Sequence, residues 1–143
     1  MKFFWDTSAV INAAISRGVE SRLEAKADEH VTRLHVFFEF FSTMTGRGVT
    51  GKDANGQPLK IVFDATDAAE WLKEFSGKVT LVEIDCKESL DALAKAQSLN
   101  VQGSRVYDYA HALAAVKAKA DMVLTRNEKD FQGLTGPARI EWP

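Results

Sequence analysis

The chain is predicted to be α/β, with a short, mostly parallel sheet flanked by helices in a single domain over 1–143. Three observations lead there. Short apolar runs alternate with stretches of helical periodicity. Glycines and capping residues punctuate the junctions between them. A chain of 143 residues, 45% hydrophobic and 27% charged, can bury one core without disulfide or metal staples. Strands alternating with helices build parallel sheets, and sites in such open sheets form beyond the carboxyl ends of the strands.

Lys2–Trp5 reads as the first strand. Asp6, Thr7 and Ser8 then offer side-chain oxygens to cap a helix over Ala9–Ile15, which Gly18 ends. Glu20–Asp28 reads as a charged helix or its continuation, and Val31–His35 as the second strand. Val36–Thr45 is a helix with Phe37, Phe40, Phe41 and Met44 on one stripe, closed by Gly46 and Gly48. Val49–Leu59, with Gly51, Gly56 and Pro58, reads as a loop. Asp64–Phe75 is a helix burying Ala68, Ala69, Leu72 and Phe75. Val79–Ile84 is a third strand and Glu88–Leu99 an amphipathic helix. After Gly103, Ser104 caps an Ala-rich helix to Lys119 on which Val106, Ala110 and Leu113 face the core. Met122–Leu124 is a fourth strand and Arg139–Trp142 a candidate fifth.

The net charge of −2 argues against a module that coats nucleic acid, which is usually basic, but suits an enzyme whose site must be acidic. One cysteine, Cys86, leaves no intrachain disulfide and is read as structural. No signal-peptide core and no transmembrane run is visible, so no membrane contact and a cytoplasmic location are expected. There is no Walker-type phosphate loop and no Gly-x-Ser-x-Gly elbow, which argues against a nucleoside-triphosphate enzyme and a serine hydrolase. The histidines His30, His35 and His111 lack zinc spacing and read as surface, strand or structural residues, although His111 lies one turn from Asp108.

The acidic residues carry the chemistry. Asp6 directly follows strand one, Glu39 lies in the helix after strand two, and Asn127 and Asp130 follow strand four. Asp108 lies in the first turns of the Ala-rich helix. Carboxylates gathered on one sheet edge repel one another unless a cation joins them. Mg²⁺ takes hard oxygen ligands while keeping several waters, and it stabilises charge building on a phosphodiester. Asp6 suits a helix cap equally well. Glu39, Asp108 and Asp130 suit solvated faces, and Asn127 suits a turn.

Four segments together resemble the PIN-domain ribonucleases, and among them the VapC-type toxins of toxin–antitoxin pairs. They are FFWDTSAVINA at the start, LHVFFEFFSTM around Glu39, RVYDYAHALAA around Asp108 and ADMVLTRNEKDF at the closing strand. They span nearly the whole chain. The resemblance implies Mg²⁺-dependent (or Mn²⁺-dependent) endoribonuclease chemistry on RNA, with Asp6, Glu39 and Asp108 as metal residues. It implies support from Thr7 or Ser8 through their hydroxyls. Arg126, flanking the site, is a candidate for holding RNA phosphates. Where many members carry an aspartate this chain has Asn127, which adds no charge, and Asp130 is the alternative fourth acid. The resemblance further implies a homodimer silenced by a small antitoxin protein. Two other readings stay open: a PIN-like protein-binding module with weakened catalysis, favoured by Asn127, and a phosphatase with Asp6 as nucleophile, disfavoured by Ser8 where a second aspartate is usual.

Overall fold

The computed structural model describes residues 1–16 and 22–143. The chain runs β1 (Lys2–Trp5), α1 (Thr7–Ile15), β2 (Glu29–Thr32), α2 (Leu34–Thr45), β3 (Val49–Lys52), β4 (Pro58–Ile61) and α3 (Ala65–Ser76). It continues through β5 (Thr80–Leu81), α4 (Cys86–Ala94), a 3-10 turn (Gln97–Leu99), α5 (Arg105–Lys117), β6 (Met122–Leu124), α6 (Glu128–Phe131) and β7 (Arg139–Glu141). Gly18 and the start of Glu20–Asp28 lie outside the described residues.

β1 sits at the centre of a five-stranded sheet of order β5-β2-β1-β6-β7, parallel at every pairing. Its near-continuous apolar sequence follows from burial on both faces, since alternate side chains must enter opposite layers. Phe3 and Trp5, with Met122 and Leu124 of β6, pack against α1, α2 and α3. Phe4, with Val31 and Val123, packs against α4 and α5, where Ala112, Ala114 and Ala115 let the helix approach closely. The connection from β1 leads to β2 on one side, whereas that from β6 leads to β7 on the other. The chain therefore changes direction between β1 and β6, and a crevice opens beyond their carboxyl ends.

Several sequence expectations need correction. Val31–His35 is not one strand: β2 stops at Thr32, and Leu34 and His35 already belong to α2. On α2 the buried line is Val36, Phe40 and Met44, spaced four apart. Phe37 lies beside that line, its ring 6.1 Å from Phe75, and Phe41 is exposed. The expected loop Val49–Leu59 is mostly a β-hairpin, β3 pairing antiparallel with β4. Asp53 closes its turn, its Oδ1 accepting from the backbone N–H of Asn55 and Gln57, both at 2.9 Å. Gly48 enters it at φ +66°, where a Cβ would meet the Ile61 carbonyl.

Ala69 is exposed, and only Thr80–Leu81 of Val79–Ile84 pairs with the sheet. Glu88–Leu99 divides into the end of α4 and the 3-10 turn. The Ser104 side chain caps nothing. On α5 the buried residues are Tyr109, His111, Ala112, Ala114 and Ala115, while Val106, Ala110 and Leu113 are partly buried. Cys86 is exposed at the start of α4. Among the described residues no helix is long and apolar enough to cross a membrane.

Candidate active site

β1 delivers Asp6 to the crevice. The Asp6 N–H extends the β1–β6 ladder by donating to Leu124 O at 3.1 Å, while its carbonyl accepts the first N–H groups of α1. The side chain leaves the helix uncapped. Its Oδ2 instead accepts from Ser8 Oγ at 2.9 Å and from Thr125 Oγ1 at 2.7 Å. With both hydroxyl hydrogens turned to Asp6, the 3.3 Å approach of Ser8 Oγ and Thr125 Oγ1 is a contact between acceptors. Those acceptors are used in turn by the Arg126 N–H, at 2.9 Å from Ser8 Oγ, and the Asn127 N–H, at 3.0 Å from Thr125 Oγ1. Asp6 is only 3% exposed, and no ion pair among the described residues involves it. A carboxylate buried on two hydroxyl bonds and without a counter-ion is costly unless something else balances its charge. The cap reading of Asp6 is thereby ruled out, and a site reading gains.

Glu39 is drawn inward from α2. Its Oε2 accepts from Thr7 Oγ1 at 2.9 Å. Its Oε1 faces Nε2 of His111 at 2.8 Å and of His35 at 3.2 Å. Burial pushes the Glu39 carboxyl up, but the His111 hydrogen bond and charge, the Thr7 hydroxyl and His35 together hold it below the usual carboxylate range. An ionised Glu39 accepts only, so His111 Nε2 carries the hydrogen of their bond. Of about four lone-pair positions on a carboxylate, three are engaged and one stays open.

Asp108, in the first turn of α5, is half-buried. Burial first, then the charges of Asp6, Asp130 and Glu39 raise it to about 6, against an opposing pull from His111. The charges of Asp6, Asp130 and Glu39 thus reach Asp108 through space. A folded-state value above the unfolded one means that the folded protein binds the extra proton, so stability falls as pH rises from about 4 to about 6. Asp108→Asn removes that penalty. In thermal melts the variant should match the parent near pH 4 and exceed it above pH 7 by about 1–2 kcal/mol after solvent screening. An equal offset at both pH values would refute this.

Asn127 and Asp130 are exposed, and the Asn127 side chain does not cap α6. The structure bonds Ser8 to Asp6 and Thr7 to Glu39, and it places Asp108 within reach of the charges of Asp6, Asp130 and Glu39. Among the described residues no three His, Cys, Asp or Glu side chains are grouped so as to hold a metal ion by themselves. The carboxylate oxygens of Asp6 and Asp108 and the open position on Glu39 nevertheless suit a hard cation that keeps waters in most of its positions.

Thr125 and the His111–Glu39 bond were not identified from sequence. Thr125 had a signal, since it is the first residue beyond an apolar strand in a segment already of interest. His111 had none beyond its place one turn from Asp108, because its partner lies 72 residues away.

An open, all-parallel sheet flanked by helices matches a PIN-like fold. One chain in the structure of VapBC-1 from nontypeable Haemophilus influenzae shares it, with a TM-score of 0.65 over 99% of this chain and 98% of that chain. The two are 16% identical, so the likeness is one of fold. No family model and no curated protein sequence matches the chain.

Proposed function

We propose that the chain is a Mg²⁺-dependent endoribonuclease that hydrolyses RNA phosphodiester bonds, acting as the toxin of a VapBC-type toxin–antitoxin pair. The observation that carries this reading is the buried Asp6, without a counter-ion among the described residues, whose charge joins burial in pushing Asp108 up to about 6. Mg²⁺ (or Mn²⁺) would be held by Asp6, Asp108 and the open position of Glu39. When bound there, a divalent cation supplies charge neutralisation for the phosphodiester and makes water more acidic.

The chain's own residues supply orientation. Ser8 and Thr125 fix the Asp6 carboxylate, and Thr7 and His111 fix Glu39. Asp130 adds negative charge without contact, and Asn127 offers an amide oxygen at the rim. Arg126 offers a cation for phosphate. Hydroxyl supports of this kind typically change activity or metal affinity by about 10–100-fold when removed. Thr125→Val should therefore lower cleavage by about that factor while the protein stays folded, and cleavage equal to the parent's would show that Thr125 is dispensable.

The direct test offers several structured RNAs to the purified chain with Mg²⁺ and with EDTA. Cleavage that persists in EDTA counts against the mechanism. A non-catalytic module that binds protein is the second reading, favoured by the uncharged Asn127 and by the three donors already on Glu39. Unchanged melting of folded protein on Mg²⁺ addition would support it. The toxin reading also implies a cytoplasmic homodimer and a small antitoxin. Leu34, Phe38 and Phe41 stand exposed on α2 beside the site, Phe38 at 67%, and are suited to such a protein contact.

A further inference from the structure

On the flank of the crevice towards β7 lies a cleft of about 460 Å³ lined by Arg126, Asn127, Glu128, Lys129, Asp130 and Trp142. β6 and β7 pair with Leu124 opposite Glu141, so Trp142 leaves β7 one residue past the sheet and Arg126 leaves β6 two residues past it, at the same carboxyl edge as Asp6. The Arg126 guanidinium lies over the Trp142 ring, its central carbon 4.5 Å from the centroid. Arg126 is exposed and Trp142 is 51% exposed. None of the ion pairs among the described residues uses Arg126. Its backbone N–H is tied to Ser8 Oγ, so the base of this side chain is anchored to the hydroxyl that also holds Asp6. Asp130 lines the cleft and its charge acts on Asp108, so the cleft lies within electrostatic reach of the acidic group.

A guanidinium lying over an exposed indole, with its side-chain donors unused among the described residues, matches the way single-stranded RNA is gripped. Unpaired bases stack on aromatic rings and guanidinium planes, and arginine donors take the adjoining phosphates. The cleft volume falls in the range of small-molecule sites and suits one nucleotide. We propose that Arg126 and Trp142 form a subsite for one unpaired nucleotide of the RNA strand, its base extending the stack and its phosphate on the guanidinium. This rests on the RNA-cleaving reading, and it adds that the strand runs from the acids towards β7. It also requires single-stranded substrate at this position, because a paired base cannot reach a stacking platform.

The test measures binding without cleavage. A labelled single-stranded RNA of roughly ten nucleotides is titrated in EDTA and followed by anisotropy, against the parent, Trp142→Ala, Trp142→Phe and Arg126→Lys. Loss of one stacked base weakens binding about 5-fold or more, so Trp142→Ala should show at least that. Trp142→Phe should recover part of it, and Arg126→Lys, which keeps charge but loses the plane, should not bind like the parent. RNA should also quench the emission of the parent, and that quench should vanish in Trp142→Phe, since Trp5 is fully buried and Trp71 is packed against the core between Phe40 and Phe75. Unchanged affinity in Trp142→Ala and Arg126→Lys overturns the proposal, as does an equal loss on duplex RNA. The two readings separate cleanly. Cleavage with unchanged affinity sinks the subsite alone, and weakened binding in a protein that cleaves nothing sinks the nuclease alone.

Discussion

Asp6→Asn should abolish Mg²⁺-dependent RNA cleavage, lowering kcat/KM on the order of 10³-fold or more, a loss of about 4 kcal/mol of transition-state stabilisation. The substitution keeps the volume and changes the charge. Both hydroxyls, Ser8 and Thr125, donate to the same oxygen, so an asparagine that places its amide oxygen there still accepts from both. The fold should therefore survive. Removing a buried, uncompensated charge should leave the melting temperature unchanged or slightly higher. It should also lower Asp108 from its raised value, because the Asp6 charge is one of the causes. The measurement is cleavage rate with circular dichroism and a thermal melt on the same samples. A folded variant that cleaves as fast as the parent ends the proposed mechanism.

Trp5→Ala should be the most destabilising single change in β1, at about 3–5 kcal/mol. That is a large share of the roughly 5–15 kcal/mol by which native domains are stable. Trp5 is fully buried in the central strand, edge-on to Phe75 at 6.0 Å and to His30 at 5.8 Å. Its indole N–H donates to His30 Nδ1 at 3.1 Å, which requires that nitrogen to be unprotonated. Burial agrees, holding His30 below its ordinary value. The alanine opens a cavity and strands a buried acceptor as well. Trp5→Phe keeps most of the apolar surface and loses the donor, so about 1–2 kcal/mol is expected. Urea unfolding should show both as shifts in midpoint at constant slope. A midpoint in Trp5→Ala no lower than in Trp5→Phe would contradict the packing argument.

The parts of the fold that were legible in the sequence share one property. β1 and β6 are buried on both faces, so they read as unbroken apolar runs, and each ends at a polar residue beyond the sheet. Lys2–Trp5 and Met122–Leu124 are strands with the bounds that the sequence indicates. The hairpin β3–β4 was not legible, because its eight strand residues include Gly51 and Pro58 and lack a buried face that would impose alternation. The second strand was misplaced for a related reason. His30, buried against Trp5, does not register as a core residue by hydropathy, so the apparent apolar stretch slid towards Leu34.

Of the candidate site, the positions beyond strand ends were legible, and the bonds among them were not. Asp6 and Thr125 are 119 residues apart, and only the β1–β6 register makes them partners. The same holds for Glu39 and His111, which face each other across helices that pack on opposite layers of the sheet. Local pattern cannot see such pairs. It can only indicate which residues the sheet edge will collect.

The placement of β1 has a consequence for when the molecule becomes whole. Among the strands of the sheet the central one is synthesised first, and both its neighbours come later, β6 far downstream of β2. A growing polypeptide can dock β1 on β2, but the other flank stays bare until Met122–Leu124 has emerged. Asp6 meanwhile has Ser8 beside it and no Thr125 across from it. Pairings this distant in sequence also slow folding, since a long loop must close before the contact rewards it. Whatever the acids do, they cannot do it before β6 has been made: the site comes into existence only once both flanks of β1 are paired.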